Sequence, residues 1–244
     1  MLYSRGNEMM TREDKITQAI AHAVMIFMSL CALIPFILLV IASFTDNMTA
    51  IRNGYSFFPE KWSLEAYRFI AREWQMMGRA YAITIIVTVI GTICSLFMTS
   101  TLAYALAKDG LPGRSFLMVF VVFTMLFNGG LVPTYYIYTK IFNVKNTLAA
   151  LIVPSLLMNA FNIVLVRSYF KTNIPAAITE AAVIDGAGEF RIFFTIVMPL
   201  SLPILATIGL LIAIMYWNDW RNGLYYLTDP KLFSIQIILN KING

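Results

Sequence analysis

Long apolar runs separated by short polar stretches set the pattern of this chain. They cover residues 16–44, 80–107, 115 onward, 147–170 and 196–217. A helix needs about 20 residues to cross a hydrocarbon layer of about 30 Å at about 1.5 Å per residue, and each run approaches or exceeds that length. The pattern predicts an all-α, polytopic transmembrane bundle: a polar arm over 1–15, then one membrane domain over 16–244. The third run is apolar to Phe127 and is then loosened by Asn128-Gly129-Gly130 and Pro133. A helix broken at membrane depth is tolerated only inside protein or beside water, so this segment is either a pathway lining or the mouth of a span. Asn159 and Asn162 lie inside the fourth run, where buried amides need partners in the bundle rather than lipid.

The polar stretches add detail. Residues 45–79 carry Trp62, Tyr67, Phe69, Ile70 and Trp74 at the spacing of an amphipathic helix, lying in an interface or docked on a partner. Small and hydroxyl residues in the second run, Thr84, Gly91, Ser95 and Thr99 among them, allow close helix approach and cross-bonding. Residues 173–195 read as a short helix, a turn and the start of another helix. Ile174, Ala177, Ile178, Ala181 and Ala182 form one apolar stripe, and Gly186 can end the helix in the left-handed conformation.

Composition agrees. Hydrophobic residues make up 59% of the 244, charged residues 13%, and mean hydropathy is +0.73. The net charge of +5 is scattered singly rather than gathered into a patch, which argues against nucleic acid as a partner. Cys31 and Cys94 sit in apolar runs far from His or carboxylate pairs and read as small buried apolar side chains. The first run is too long for a cleavable signal peptide and lacks a small-residue cleavage site. Counting Lys and Arg does not orient the chain, because basic residues divide between both sets of loops.

Glu180-Ala181-Ala182, three residues, Gly186, nine residues, Ile196, one residue and Met198-Pro199 then carry a resemblance. The spacing resembles the EAA signature of permease subunits in bacterial ATP-binding-cassette importers, with Met198 where the family has Leu. The extension to Ile208 and the segment YWNDWRNGLYYL at 216–227 resemble the carbohydrate-uptake branch.

The resemblance implies a coupling helix beginning at Glu180 on the cytoplasmic side of a bacterial inner membrane, and so a cytoplasmic N-terminus. It makes Ile178, Glu180, Ala181, Ala182, Asp185, Gly186 and Pro199 the residues that couple to an ATPase, with Gly186 setting the angle to the next span. The implied partners are a second permease subunit, two ATPase subunits, an extracytoplasmic solute-binding protein and the bilayer. ATP and Mg would bind the ATPases; this chain has no G-x-x-x-x-G-K-[ST] motif, is no enzyme by itself and needs no cofactor. Permeases of this kind have six spans, which implies a truncated member lacking the last.

On chemistry alone, Asn128, Tyr135, Tyr136, Asn159 and Asn162 are candidates for a solute pathway, since sugars present hydroxyls and CH faces together. Trp217, Asn218, Asp219 and Trp220 fall at the outer mouth, where the resemblance implies contact with the binding protein. The competing reading is a channel or secondary transporter without ATP coupling. It would require ionisable groups in the spans, and the runs contain no Asp or Glu.

Overall fold

A computed structural model describes residues 12–243, so residues 1–11 of the predicted polar arm lie outside the described part. The chain divides into an N-terminal unit ending at Trp74 and a second unit from Gln75. Among the described residues all regular structure is helical.

The N-terminal unit holds α1 (Arg12–Ser43), α2 (Asn47–Asn53) and α3 (Glu65–Arg72). α1 exposes apolar side chains around its whole circumference, as a helix surrounded by lipid does. Asp46 caps α2 by accepting from the Thr49 amide and pairs with Lys61 at 3.2 Å. α3 is the expected amphipathic helix, and Tyr67 donates or accepts a 2.8 Å hydrogen bond with Ser43.

The second unit is a helical bundle. α4 (Trp74–Ala107) is a single uninterrupted helix of 34 residues. α5 (Arg114–Leu126) has 13 residues and reaches only about 20 Å. The chain then turns by 114° into α6 (Leu131–Tyr136) and its π-helical continuation Ile137–Ile141. Extended backbone at Phe127 and a φ of +83° at Gly130 make the turn. The predicted fourth span is also interrupted. α7 (Ala149–Ile152) stops before Pro154, Ser155 takes a φ of +62°, and α8 (Ala160–Asn173) restarts with Asn159 as its cap.

α9 (Ala176–Ile184) precedes a helix that runs from α10 (Glu189–Ile192) through a π turn into α11 (Met198–Leu200). That helix bends by 82° at Ser201 into α12 (Leu202–Trp217). Pro199 and Pro203 flank the bend and remove two amide donors from the helical ladder. The fifth passage is therefore not one straight span over 196–217. α13 (Arg221–Tyr226) and α14 (Ile235–Asn243) complete the unit. Helices 15–43 and 74–107 are long and apolar enough to cross a membrane alone; 114–141 and 189–217 are so only as bent pairs.

Close approach holds the unit together. Tyr216 of α12 presses its ring where a side chain on Gly91 of α4 would stand, with ring atoms 2.5–2.8 Å from a built Cβ. Its hydroxyl donates to the Ile152 carbonyl at 2.8 Å, and Asn222 Nδ2 donates to the Pro154 carbonyl at 2.9 Å. Thr84 of α4 accepts from the Ile235 amide at 3.0 Å, a cross-helix bond of the kind expected for the second run. Cys31 and Cys94 are exposed, not buried: Cys31 lies on the lipid-like surface of α1, and Cys94 is on a face of α4 away from the core stripe.

Gly91→Ala forces the Tyr216 ring out and costs about 1–3 kcal/mol by overpacking. Tyr216→Phe orphans the Ile152 carbonyl at about 1–3 kcal/mol. Both variants lower the apparent melting temperature in detergent, and the double variant loses less than the sum, because both act on one contact. Additive losses would separate the two roles.

Candidate functional site

α9 forms because Pro175 fits ahead of the first turn and AAITEAAVI has strong helix formers on every face. It starts at Ala176, so Glu180 sits in its middle rather than at its beginning. The helix closes through Gly186 at φ +78°, with the Gly186 amide bonded to the Val183 carbonyl and the Ala187 amide to the Ala182 carbonyl. No atom lies within 4 Å of a Cβ built on Gly186, so glycine is required there by φ and not by space.

The predicted stripe divides. Ile174 and Ala182, with Ala187, pack on the core. Ile178, Ala181, Val183 and Ile184 stay exposed, Ile184 at 85%, and Phe190 beyond the turn is 81% exposed. Sequence reasoning missed Ile184 and Phe190; their place beside Asp185, Glu189 and Arg191, at a polar turn, is the pattern that marks them. Glu180 and Asp185 are exposed and form no salt bridge among the described residues.

Ion pairs brace this turn from both sides. Lys108 pairs with Glu189, which also accepts from the Tyr104 hydroxyl at 2.8 Å. Asp109 pairs with Arg114 and with Lys171 at 2.8 Å. Arg167 Nε donates to the Leu106 carbonyl at 2.9 Å. The loop 108–114 is thus tied to α8, which enters α9, and to the helix that leaves it. Tyr104 and Phe193 rings meet at 5.2 Å along the same seam. Between loop and α9 lies a cavity of about 810 Å³ lined by Lys108, Asp109, Lys171, Thr179, Glu180 and Glu189 among others. Hydrogen bonds from Lys171 and then Arg114 hold the Asp109 carboxyl below its ordinary value. Lys108 and then Tyr104 do the same for Glu189.

The opposite end of the bundle holds the other candidates, and the structure gathers only some of them. Asn128 Oδ1 accepts from the Gly130 amide at 2.9 Å and lines a cavity of about 310 Å³ together with Asp219. Tyr135 stacks on Tyr226 at 5.7 Å, and Tyr136 is exposed. Asn159 spends its side-chain oxygen on the Phe161 and Asn162 amides as the cap of α8, and Asn162 is buried. Trp217 and Trp220 are part-exposed, and Asn218 bonds back to Ile214. Burial pushes the Asp219 carboxyl up from its ordinary value, against the pull of the Asn222 amide and Arg221.

The family profile described as the binding-protein-dependent transport system inner membrane component matches residues 100–240, which include the braced turn and both cavities. The chain belongs to this family. The inner membrane component is 37% identical over 230 residues to a polygalacturonan/rhamnogalacturonan transport system permease protein of Bacillus subtilis, covering 94% of this chain and 79% of the relative. It is 30% identical over 219 residues to an arabinooligosaccharides transport system permease protein of Halalkalibacterium halodurans, covering 86% and 76%. It also matches a solved chain of a bacterial ABC transporter that imports the acidic polysaccharide alginate, with TM-score 0.82, 31% identity, and coverage of 96% of this chain and 82% of that one. It is thus a permease of the ABC importer kind, a membrane component, as the motif implied.

Two outcomes test the braced turn. Gly186→Ala carries about 1–2 kcal/mol of left-handed strain and Gly186→Val more, while Gly188→Ala, at φ −73° in open space, carries none. Melting temperatures of the purified permease should follow that order; equal values for the three would show the turn to be unconstrained. The second outcome concerns pH. Because Asp109 and Glu189 titrate lower in the folded chain, the stability they add is complete above the ordinary carboxylate range. It is lost as pH falls through their folded values, below about pH 4. Asp109→Asn therefore lowers the melting temperature at pH 7, and the gap to wild type narrows as pH falls below about 4.

Proposed function

We propose that this chain is the membrane permease of an ATP-driven, binding-protein-dependent importer of oligosaccharides, and that α9 with its Gly186 turn is the element an ATPase subunit moves. What supports this reading most is the exposed set Ile178, Val183, Ile184 and Phe190 beside Glu180, which forms no salt bridge among the described residues, carried on a turn braced by ion pairs. An apolar patch among charges at a helix end is a docking surface for protein rather than for lipid. The apolar side chains would be buried against the ATPase, and Glu180 would meet an Arg or Lys there.

The brace gives the patch leverage. Lys108–Glu189 and Asp109–Lys171 link α9 to the ends of α4, α5 and α8, so displacement of the turn reaches three helices together. Coupling then rests on differential affinity of the ATPases for the two bundle states. ATP and Mg belong on those separate subunits. A second permease completes the pathway, an extracytoplasmic binding protein delivers the sugar, and the turn and the N-terminus face the cytoplasm of a bacterial inner membrane. The names of the relatives, polygalacturonan, rhamnogalacturonan and arabinooligosaccharides, support saccharide oligomers as solute, with uronate-containing chains first among them.

Ile184→Glu and Phe190→Glu should each abolish copurification of the ATPase while the permease still reaches the membrane. Glu180→Lys should leave the complex assembled and reduce sugar-stimulated ATP hydrolysis to its unstimulated rate. Normal stimulation in all three variants would remove α9 from the coupling role.

A further inference from the structure

The cavity of about 310 Å³ lies at the end of the bundle away from the ion pairs, and each of its walls includes a helix break or a helix end. One wall is the 128–134 turn, where the third passage bends by 114°. A second is Ser155–Leu156, in the interruption between α7 and α8. The third is 219–226, just past α12. Polar backbone and side chains therefore converge where continuous helices would have presented only apolar faces.

The groups in the cavity are incompletely used. Asp219 Oδ1 accepts from the Asn222 amide at 3.5 Å, but Oδ2 is buried with no partner. Arg221 lines the same space and makes no ion pair among the described residues. Tyr225 adds a part-exposed ring. A buried carboxylate oxygen without a donor is costly to keep; Oδ2 is closed off from the cavity that Asp219 lines, and a rotation of the carboxylate that turns it inward would let a ligand hydroxyl supply the missing donor. The volume falls at the small end of ligand pockets, room for one sugar ring and not for a chain.

We propose that this cavity is a subsite for one pyranose unit of the transported oligosaccharide: Asp219 Oδ2 accepts a ring hydroxyl, Arg221 donates to the ring substituents and Tyr225 covers a CH face. The proposal rests on the saccharide-importer reading above. It moves Asp219 from contact with the binding protein to contact with the solute. Asn128, which lines the same cavity, borders the seated ring. Arg221 also makes the subsite competent for a uronate ring, whose carboxylate it can pair, while hydroxyl recognition by Asp219 serves neutral and acidic rings alike.

Asp219→Asn is the direct test. The amide keeps the oxygen that the Asn222 amide needs and replaces Oδ2 by a donor, so the local fold is retained while the hydroxyl acceptor is lost. In proteoliposomes holding the complete importer, uptake of trigalacturonate and of maltotriose is measured against concentration. The expected result is that KM rises about tenfold for whichever sugar the wild type carries. Asp229→Asn, which caps residues 230–232 outside the cavity, should leave KM unchanged. A second measurement avoids relying on one variant. In a chain with Cys31 and Cys94 changed to Ser, Asn128→Cys is labelled by a methanethiosulfonate reagent, and the carried sugar should slow labelling at least fivefold. If the wild type carries a sugar but Asp219→Asn keeps the wild-type KM and labelling is unprotected, the subsite is overturned and the importer reading stands. A wild type that carries neither these sugars nor other oligosaccharides overturns that reading, and the subsite with it.

Discussion

A backbone carbonyl in hydrocarbon has no water to turn to, and this constraint organises the second unit. Pro154 and the left-handed Ser155 break the fourth passage and leave carbonyls of the last α7 turn without amides. The Tyr216 hydroxyl takes the Ile152 carbonyl and the Asn222 amide takes that of Pro154. Those two side chains come from α12 and α13, so one interruption in one helix fixes where two others stand. Gly91 is the further condition: only a residue without Cβ lets the Tyr216 ring lie against α4. Break, donors and glycine form one device, and it lies beside the cavity that holds Asp219.

The other end depends on charge. Side chains such as Asp109 and Glu189 are open to water, where a single ion pair contributes little. Their effect is geometric. Asp109 holds Arg114 and Lys171 at once, and Glu189 holds Lys108 and Tyr104 at once, so two carboxylates join four groups from separate segments. A shared carboxylate fixes relative positions without the burial that would make each charge expensive. The α9 turn is consequently stiff where it meets the bundle and apolar where it faces outward.

Much of this was legible in the sequence. Apolar run length gave the helical membrane class, and the Glu180–Pro199 spacing gave the family. The amphipathic helix near Tyr67 and the cross-bonding Thr84 followed from residue type. The bends were not legible. Pro199 and Pro203 announce lost amides, but a proline in an apolar run is compatible with a mild kink as well as with 82°. The angle depends on what α12 packs against, which is tertiary. Asn159 illustrates the same limit: an amide in an apolar run reads as a pathway group, and only the broken helix beside it reveals a cap. Two of the ion pairs, Lys108–Glu189 and Asp109–Lys171, join residues about 60 to 80 positions apart, and no local pattern announces them.

The two ends differ in what holds them, and that difference bears on how motion crosses the bundle. At the α9 end, several charged contacts must shift together, so the turn moves as a body. At the far end, hydrogen bonds to the carbonyls around an already interrupted helix can exchange partners without breaking a regular ladder. Displacement applied to the stiff end is therefore absorbed at the helix breaks: the 127–130 turn, the 153–159 interruption and the Ser201 bend. Two of these three breaks border the Asp219 cavity. A ring seated there would be sensitive to the angle between α5 and α6 and to the register of α7. If a ring occupies the cavity and an ATPase moves the turn, both bias the same helices, and each then alters the free energy of the other.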